Sequence, residues 1–180
     1  MQRTITPLCF ALVFVSMQSM ASDPVTGPVI KNYGPVFSVP DGSFNLEPDR
    51  HYKIVMDIGS GPEDPSELNH NIETAARFLN MHSRNGIKPE NLQMAVVLHG
   101  SGARAALNEA AHAKRFTVPN GSRQLIEELG SAGVAVYICG QTAGYRGYGS
   151  EDLLPEITMA VSAMTVHVRL QQEGYQAILF

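Results

Sequence analysis

The stretch Tyr52-Lys53-Ile54-Val55-Met56-Asp57-Ile58-Gly59-Ser60-Gly61 decides how this chain is read. Its first seven residues alternate poorly between apolar and polar and are largely apolar. That pattern suits a strand buried on both faces of a parallel sheet. The turn Gly59-Ser60-Gly61-Pro62 then leads to Asp64-Pro65-Ser66-Glu67, with an N-cap aspartate, a proline at the first helical position and a reciprocating glutamate. A helix is expected to start there. Leu68, Ile72, Ala75, Ala76 and Leu79 follow at helical spacing, and Asn85-Gly86 supplies the left-handed stop.

The same unit recurs downstream. Leu92 to Leu98 reads as a second buried strand ending in His99-Gly100-Ser101-Gly102, with Ser101 the expected N-cap of a helix carrying Ala103, Ala106, Leu107 and Ala110. A loop through Val118-Pro119-Asn120-Gly121 precedes a short helix with Leu125, Ile126 and Leu129 inward. Gly130 to Gly133 returns the chain to a third strand, Val134 to Ile138, with Cys139 at its end. Gly140 to Ser150 is glycine-rich, so one helical turn and then a loop are expected. Ile157 to Val161 reads as a short strand, Ser162 as the cap of a helix ending at Gly174, and Tyr175 to Phe180 as the last strand. Strands and helices alternating at this spacing define an α/β fold, a flavodoxin-like parallel sheet of about five strands with helices on both faces.

Upstream, residues 22–50 hold five prolines and three glycines, which reads as an extended arm with one short strand at Val36 to Val39, wrapping the domain or a neighbouring subunit. Residues 1–21 read as a cleaved signal peptide: Arg3 is the basic start, Pro7 to Met17 the apolar run, and Ser19-Met20-Ala21 the small-residue cleavage site. The apolar run is shorter than the roughly 20 residues a bilayer span requires. A periplasmic location is therefore expected, with residues 51–180 as the folded domain. Cleavage removes Cys9 and leaves Cys139 unpaired.

The chain carries 13 Lys+Arg against 17 Asp+Glu, a formal charge of −4, and loss of Arg3 makes it one unit more negative. That balance argues against a nucleic-acid or anionic-membrane surface. The six histidines form no H-x-H or H-E-x-x-H pair, so no metal site and no cofactor are expected. Gly59-Ser60-Gly61 lacks the third glycine of a dinucleotide fingerprint and faces Glu63 and Asp64. His99-Gly100-Ser101-Gly102 resembles an esterase oxyanion loop, but the chain has no G-x-S-x-G elbow. Asn120-Gly121-Ser122 matches the glycosylation triplet and is assigned no role.

In open parallel sheets ligands bind beyond the carboxyl ends of the strands, where the winding reverses. Three loops meet that condition: Gly59 to Pro62, His99 to Gly102, and Cys139 to Gly144. A cysteine at a strand end followed by a helical turn meets backbone N–H groups that favour the thiolate. His99 and Arg146 are the nearest candidates for further positive potential, and Gly100, Gly140 and Gln141 line the same edge. The bland alternative treats Cys139 as a small hydrophobe, His99 as a loop anchor and Arg146 as a solvated charge.

The run Gly133-Val134-Ala135-Val136-Tyr137-Ile138-Cys139-Gly140-Gln141, together with Glu151-Asp152-Leu153-Leu154-Pro155 and Gly174-Tyr175, resembles the exported branch of the DsrE/DsrF-like family. The match extends to Tyr52 to Ile58 and to Val96-Val97-Leu98-His99-Gly100, and covers roughly Val29 to Phe180. The resemblance implies a subunit that assembles into trimers or hexamers, and a cysteine that carries sulfur as a persulfide between proteins. Cys139 occupies the matching position. The signal peptide, and Gly144 and Gly147 just beyond the cysteine, depart from the sulfur-relay members. Two readings stay open. One is a periplasmic sulfur carrier or thiol-exchange protein using Cys139 with His99 as activator, and the Gly140 and Gln141 amides on the thiolate. The other is a non-catalytic oligomeric module that binds a small ligand or protein at the sheet's C-terminal edge.

Overall fold

The apolar segments pair as a five-stranded, wholly parallel sheet in the order β4-β3-β2-β1-β5. The strands are β1 (Tyr52–Ile58), β2 (Leu92–Leu98), β3 (Ala135–Cys139), β4 (Ile157–Ala160) and β5 (Gln176–Leu179). The helices are α1 (His70–Arg84), α2 (Glu109–Phe116), α3 (Arg123–Ser131), α4 (Gly140–Arg146) and α5 (Ala163–Gln172). The structure is a computed structural model that describes residues 23–39, 44 and 46–179. The signal-peptide segment, Cys9 and Phe180 lie outside the described residues.

Chain order dictates which face each helix covers. From β1 to β4 every step moves the same way across the sheet, and right-handed crossovers then place all the connecting helices on one face. Ile54, Met56 and Ile58 of β1, Met94, Val96 and Leu98 of β2, and Val136 and Ile138 of β3 bury that face. Against them pack Ile72, Ala76 and Leu79 of α1, Leu125, Ile126 and Leu129 of α3, and Ala143 of α4. The last step runs from one edge, β4, back past the whole sheet to the other edge, β5. Moving the opposite way, it puts α5 on the second face, as the one helix there among the described residues, and Val166 and Leu170 meet Val55, Ala95 and Val97.

The helix starts differ from the sequence reading in two places. Asp64 does not cap α1: its carboxylate accepts from the Ser66 N–H and hydroxyl, closing a local turn. The cap is Asn69, whose side chain accepts from Asn71 N at 3.0 Å. Ser101 likewise starts no α-helix. Its hydroxyl accepts from Gly61 N at 3.0 Å, Gly102–Ala106 forms a short 3₁₀ segment, and α2 begins only at Glu109 under an Asn108 cap. Ser162 does cap α5, accepting from Thr165 N. The third strand runs one residue later than expected and includes Cys139, and α4 has seven residues rather than one turn. Asn120 is buried, donates to the Ala105 and Leu107 carbonyls and accepts from Ser122 N, so its amide is committed to the fold.

The expected strand at Val36 to Val39 reduces to one antiparallel bridge between Val25 and Val36. The arm between them lies along α1 of its own domain and contributes Ile30 to the core. One buried residue makes five of the hydrogen bonds that hold it. Asn80, wholly buried, accepts from Val29 N and Ile30 N and donates to the carbonyls of Ile30, Tyr33 and Gly34. An amide can satisfy several orphan backbone groups of an irregular segment at once, and leaving them buried without partners costs about 1–3 kcal/mol each. Asn80→Ala is therefore expected to lower stability by about 3 kcal/mol, measured by urea unfolding, with amide exchange at residues 29–34 rising more than in the strands.

Candidate functional site

The winding reverses between β3 and β4. The chain leaves β3 toward α4 on one face and leaves β4 toward α5 on the other, which opens a crevice at their carboxyl ends. Cys139 is the last residue of β3 and sits in that crevice. Gly140 is required there: a Cβ on it would lie 2.4 Å from the Ala160 carbonyl oxygen, so any side chain would push the two strand ends apart. Gln141 ties the rims together through its side-chain amide, which donates to the Val161 carbonyl.

Cys139 is buried, 6% exposed as a residue. Burial pushes its pKa up. The opposing effect is larger: hydrogen-bond donation by the backbone N–H groups of Thr142, Ala163 and Gln141 and by the Thr142 hydroxyl favours the charged form and holds the thiol below its ordinary value. Gln141 and Thr142 belong to α4 and Ala163 is the first residue of α5, so both helices that diverge from the crevice contribute donors. Such donors stabilise the thiolate over the neutral thiol.

Strand alternation puts Asp57, Val97 and Cys139 on the face covered by α5. The β2–β3 register ends with Leu98 opposite Ile138, so the next residues along the two strands are His99 and Cys139. His99 continues the β1–β2 ladder, its N–H donating to the Ile58 carbonyl. The loop after it packs tightly on the end of β1: Gly100 has φ +52°, and a Cβ there would lie 2.3 Å from the Gly59 oxygen. Gly100 N in turn contacts the Thr142 hydroxyl at 3.4 Å, linking this loop to the first turn of α4.

The imidazole of His99 is held by a residue that the sequence reading overlooked. His99 Nε2 lies 2.9 Å from Asp57 Oδ2, and His167 Nε2 of α5 lies 2.6 Å from Asp57 Oδ1. Burial alone would raise the Asp57 carboxyl, but the two imidazole hydrogen bonds outweigh it and keep the carboxyl below its usual range. The sequence carried one clue. A carboxylate near the end of a strand buried on both faces needs a polar partner. Which histidine would answer could not be read, because the partners are 42 and 110 residues away.

His99 and Gly100 follow β2, and Gly140 and Gln141 open α4, so the four lie at the same sheet edge as Cys139. Arg146 does not: it is the exposed last residue of α4, about 10 Å along the helix from Cys139 at 1.5 Å per residue. Among the described residues no group of His, Cys, Asp and Glu is arranged to hold a metal ion. No described helix is long and apolar enough to cross a membrane.

The described residues thus form a parallel α/β protein with one cysteine at the switch point of its sheet. The model of the DsrE/DsrF-like family matches residues 53–180, and the chain belongs to that family. Two solved structures share the fold. A protein of unknown function from Methanobacterium thermoautotrophicum, MTH1491, is 22% identical with a TM-score of 0.52, the match covering 72% of this chain and 99% of that one. The YchN protein of E. coli is 16% identical with a TM-score of 0.50 over the same shares. No curated protein matches the chain.

The lowered thiol pKa sets a pH dependence. A thiol whose pKa lies below that of free cysteine is thiolate at lower pH, so alkylation by iodoacetamide should rise with pH and level off before it does for free cysteine. In Thr142→Val, which removes the hydroxyl donor and keeps the backbone N–H, the midpoint should move upward. A midpoint at or above that of free cysteine in the native chain would contradict the donor account.

Proposed function

We propose that the chain is an exported sulfur carrier that holds sulfane sulfur as a persulfide on Cys139. The observation that carries this reading is the convergence of N–H donors from α4 and α5 on one thiol, on a chain whose only other cysteine is Cys9 in the leader segment. Persulfide transfer requires a thiolate nucleophile and no resolving cysteine. Family membership supports the same chemistry. Incubation with polysulfide should add sulfur mass to the mature protein, reversibly by reductant, and add none to Cys139→Ser. A native protein that gains no sulfur and also resists alkylation has a structural cysteine, and the binding-module reading then replaces this one.

We further propose that the working form is a homo-oligomer, a trimer or hexamer, with the α5 face in its interface. Among the described residues only one helix covers that face. Beside the cysteine crevice Val161, Met164 and Val168 are 73%, 74% and 57% exposed, an unusual concentration of apolar surface on one short segment. Burying such side chains contributes about 1.5–3 kcal/mol each. Light scattering should report an assembly for the native chain and a smaller species for the double variant Met164→Lys, Val168→Lys. A native monomer at micromolar concentration would refute the proposal.

A further inference from the structure

Asp57 bridges two imidazoles at the sheet edge that also carries Cys139, one of them on the loop that follows the strand next to β3. An ionised carboxylate has acceptors only, so both contacts must be donated by Nε2–H groups. Each histidine is therefore fixed with its proton on Nε2, and each Nδ1 remains the nitrogen that can take up or release a further proton. The three residues come from β1, from the loop after β2 and from α5, and the side chains of His99, Asp57 and His167 are 33%, 23% and 14% exposed. The best-exposed member, His99, follows Leu98 just as Cys139 follows Ile138 on the neighbouring strand. The other titratable groups of this face are Tyr137 on β3, and Lys53 and Tyr175 at the opposite end of β1.

We propose that His99 is the proton donor to the thiolate that leaves during sulfur transfer, and that Asp57 and His167 are positioning residues that hold its imidazole in the required tautomer. The proposal rests on Cys139 being a reactive thiol. The Cys139 thiolate attacks the outer sulfur of a donor persulfide RSSH. The new Sγ–S bond forms as the donor's S–S bond breaks, and its electron pair leaves with RS⁻. His99 imidazolium, through Nδ1, gives RS⁻ a proton to form RSH, and the neutral imidazole recovers a proton from solvent. The sulfane sulfur keeps its oxidation level, so no external oxidant or reductant enters. Asp57 holds the His99 ring by its Nε2–H, and His167 keeps the carboxylate from swinging away.

A proton donor matters most when the departing thiolate is basic. The test compares two disulfides attacked by the same Cys139: hydroxyethyl disulfide, which releases a basic alkyl thiolate, and dithiobis-nitrobenzoate, which releases a weakly basic aryl thiolate. Positioned general acids contribute roughly 10²–10⁴-fold, so His99→Gln should lower the ratio of alkyl to aryl rate by about 100-fold. Asp57→Asn and His167→Gln should lower it by about tenfold, less than loss of the donor itself. Equal slowing of both reagents overturns the donor role while leaving the carrier reading intact. Failure of native Cys139 to react with either reagent removes the carrier reading and the donor role together. Imidazole nitrogen shifts of the native protein give a variant-independent check: both histidines should carry the proton on Nε2, and a proton on Nδ1 of neutral His99 would overturn the clamp.

Discussion

One step of the chain, the return from β4 across the sheet to β5, organises the rest of the molecule. Every earlier crossover advances in one direction and lands on one face, which becomes the thick core. The return step runs the other way and so lands on the opposite face. Two consequences follow from that handedness. The ends of β3 and β4 splay toward opposite faces and leave a crevice, and the second face is covered by one ten-residue helix. The crevice receives the thiol, and the thin cover leaves apolar side chains beside it.

The crevice settles a contest between two opposed electrostatic effects. Burial disfavours the thiolate, as it does for any cysteine drawn into a core. Here the sulfur meets N–H groups from two helix starts that the topology forces to diverge at that point. Asp57 shows the same contest two strands away, on β1. Its burial would raise its pKa, and two imidazole donors reverse the direction. Both groups lie on the α5 face, so α5 supplies a donor to each: Ala163 N–H to the sulfur and His167 to the carboxylate. The position of this helix therefore tunes the thiol and the His–Asp–His cluster together.

The arm before β1 solves a different problem. A segment rich in proline and glycine forms no ladder of its own, and its backbone groups still need partners when Ile30 enters the core. Asn80 makes five contacts to them from the middle of α1, and Glu73, Arg77 and Arg84 serve the Gly34 N–H and the Pro35 and Gly27 carbonyls. Polar burial inside a helix is ordinarily unfavourable, and here it is compensated by the strand-like edge that the arm presents.

The sequence by itself determined the five strands, the parallel sheet and the place of Cys139 at a strand end. Those features follow from local apolar runs and turn residues, which any window of about ten residues displays. It misjudged two helix starts for a physical reason. Asp64 and Ser101 have cap-competent side chains, but those oxygens close a local turn at Ser66 and a contact to Gly61 40 residues back. Only the tertiary structure decided which groups surround the thiol. Ala163 reaches the sulfur, and His99 and His167 reach Asp57, because strands far apart in sequence lie a single sheet spacing apart and α5 crosses them all. Local pattern sets what a segment becomes. The direction in which the chain turns at β4 sets which side chains meet.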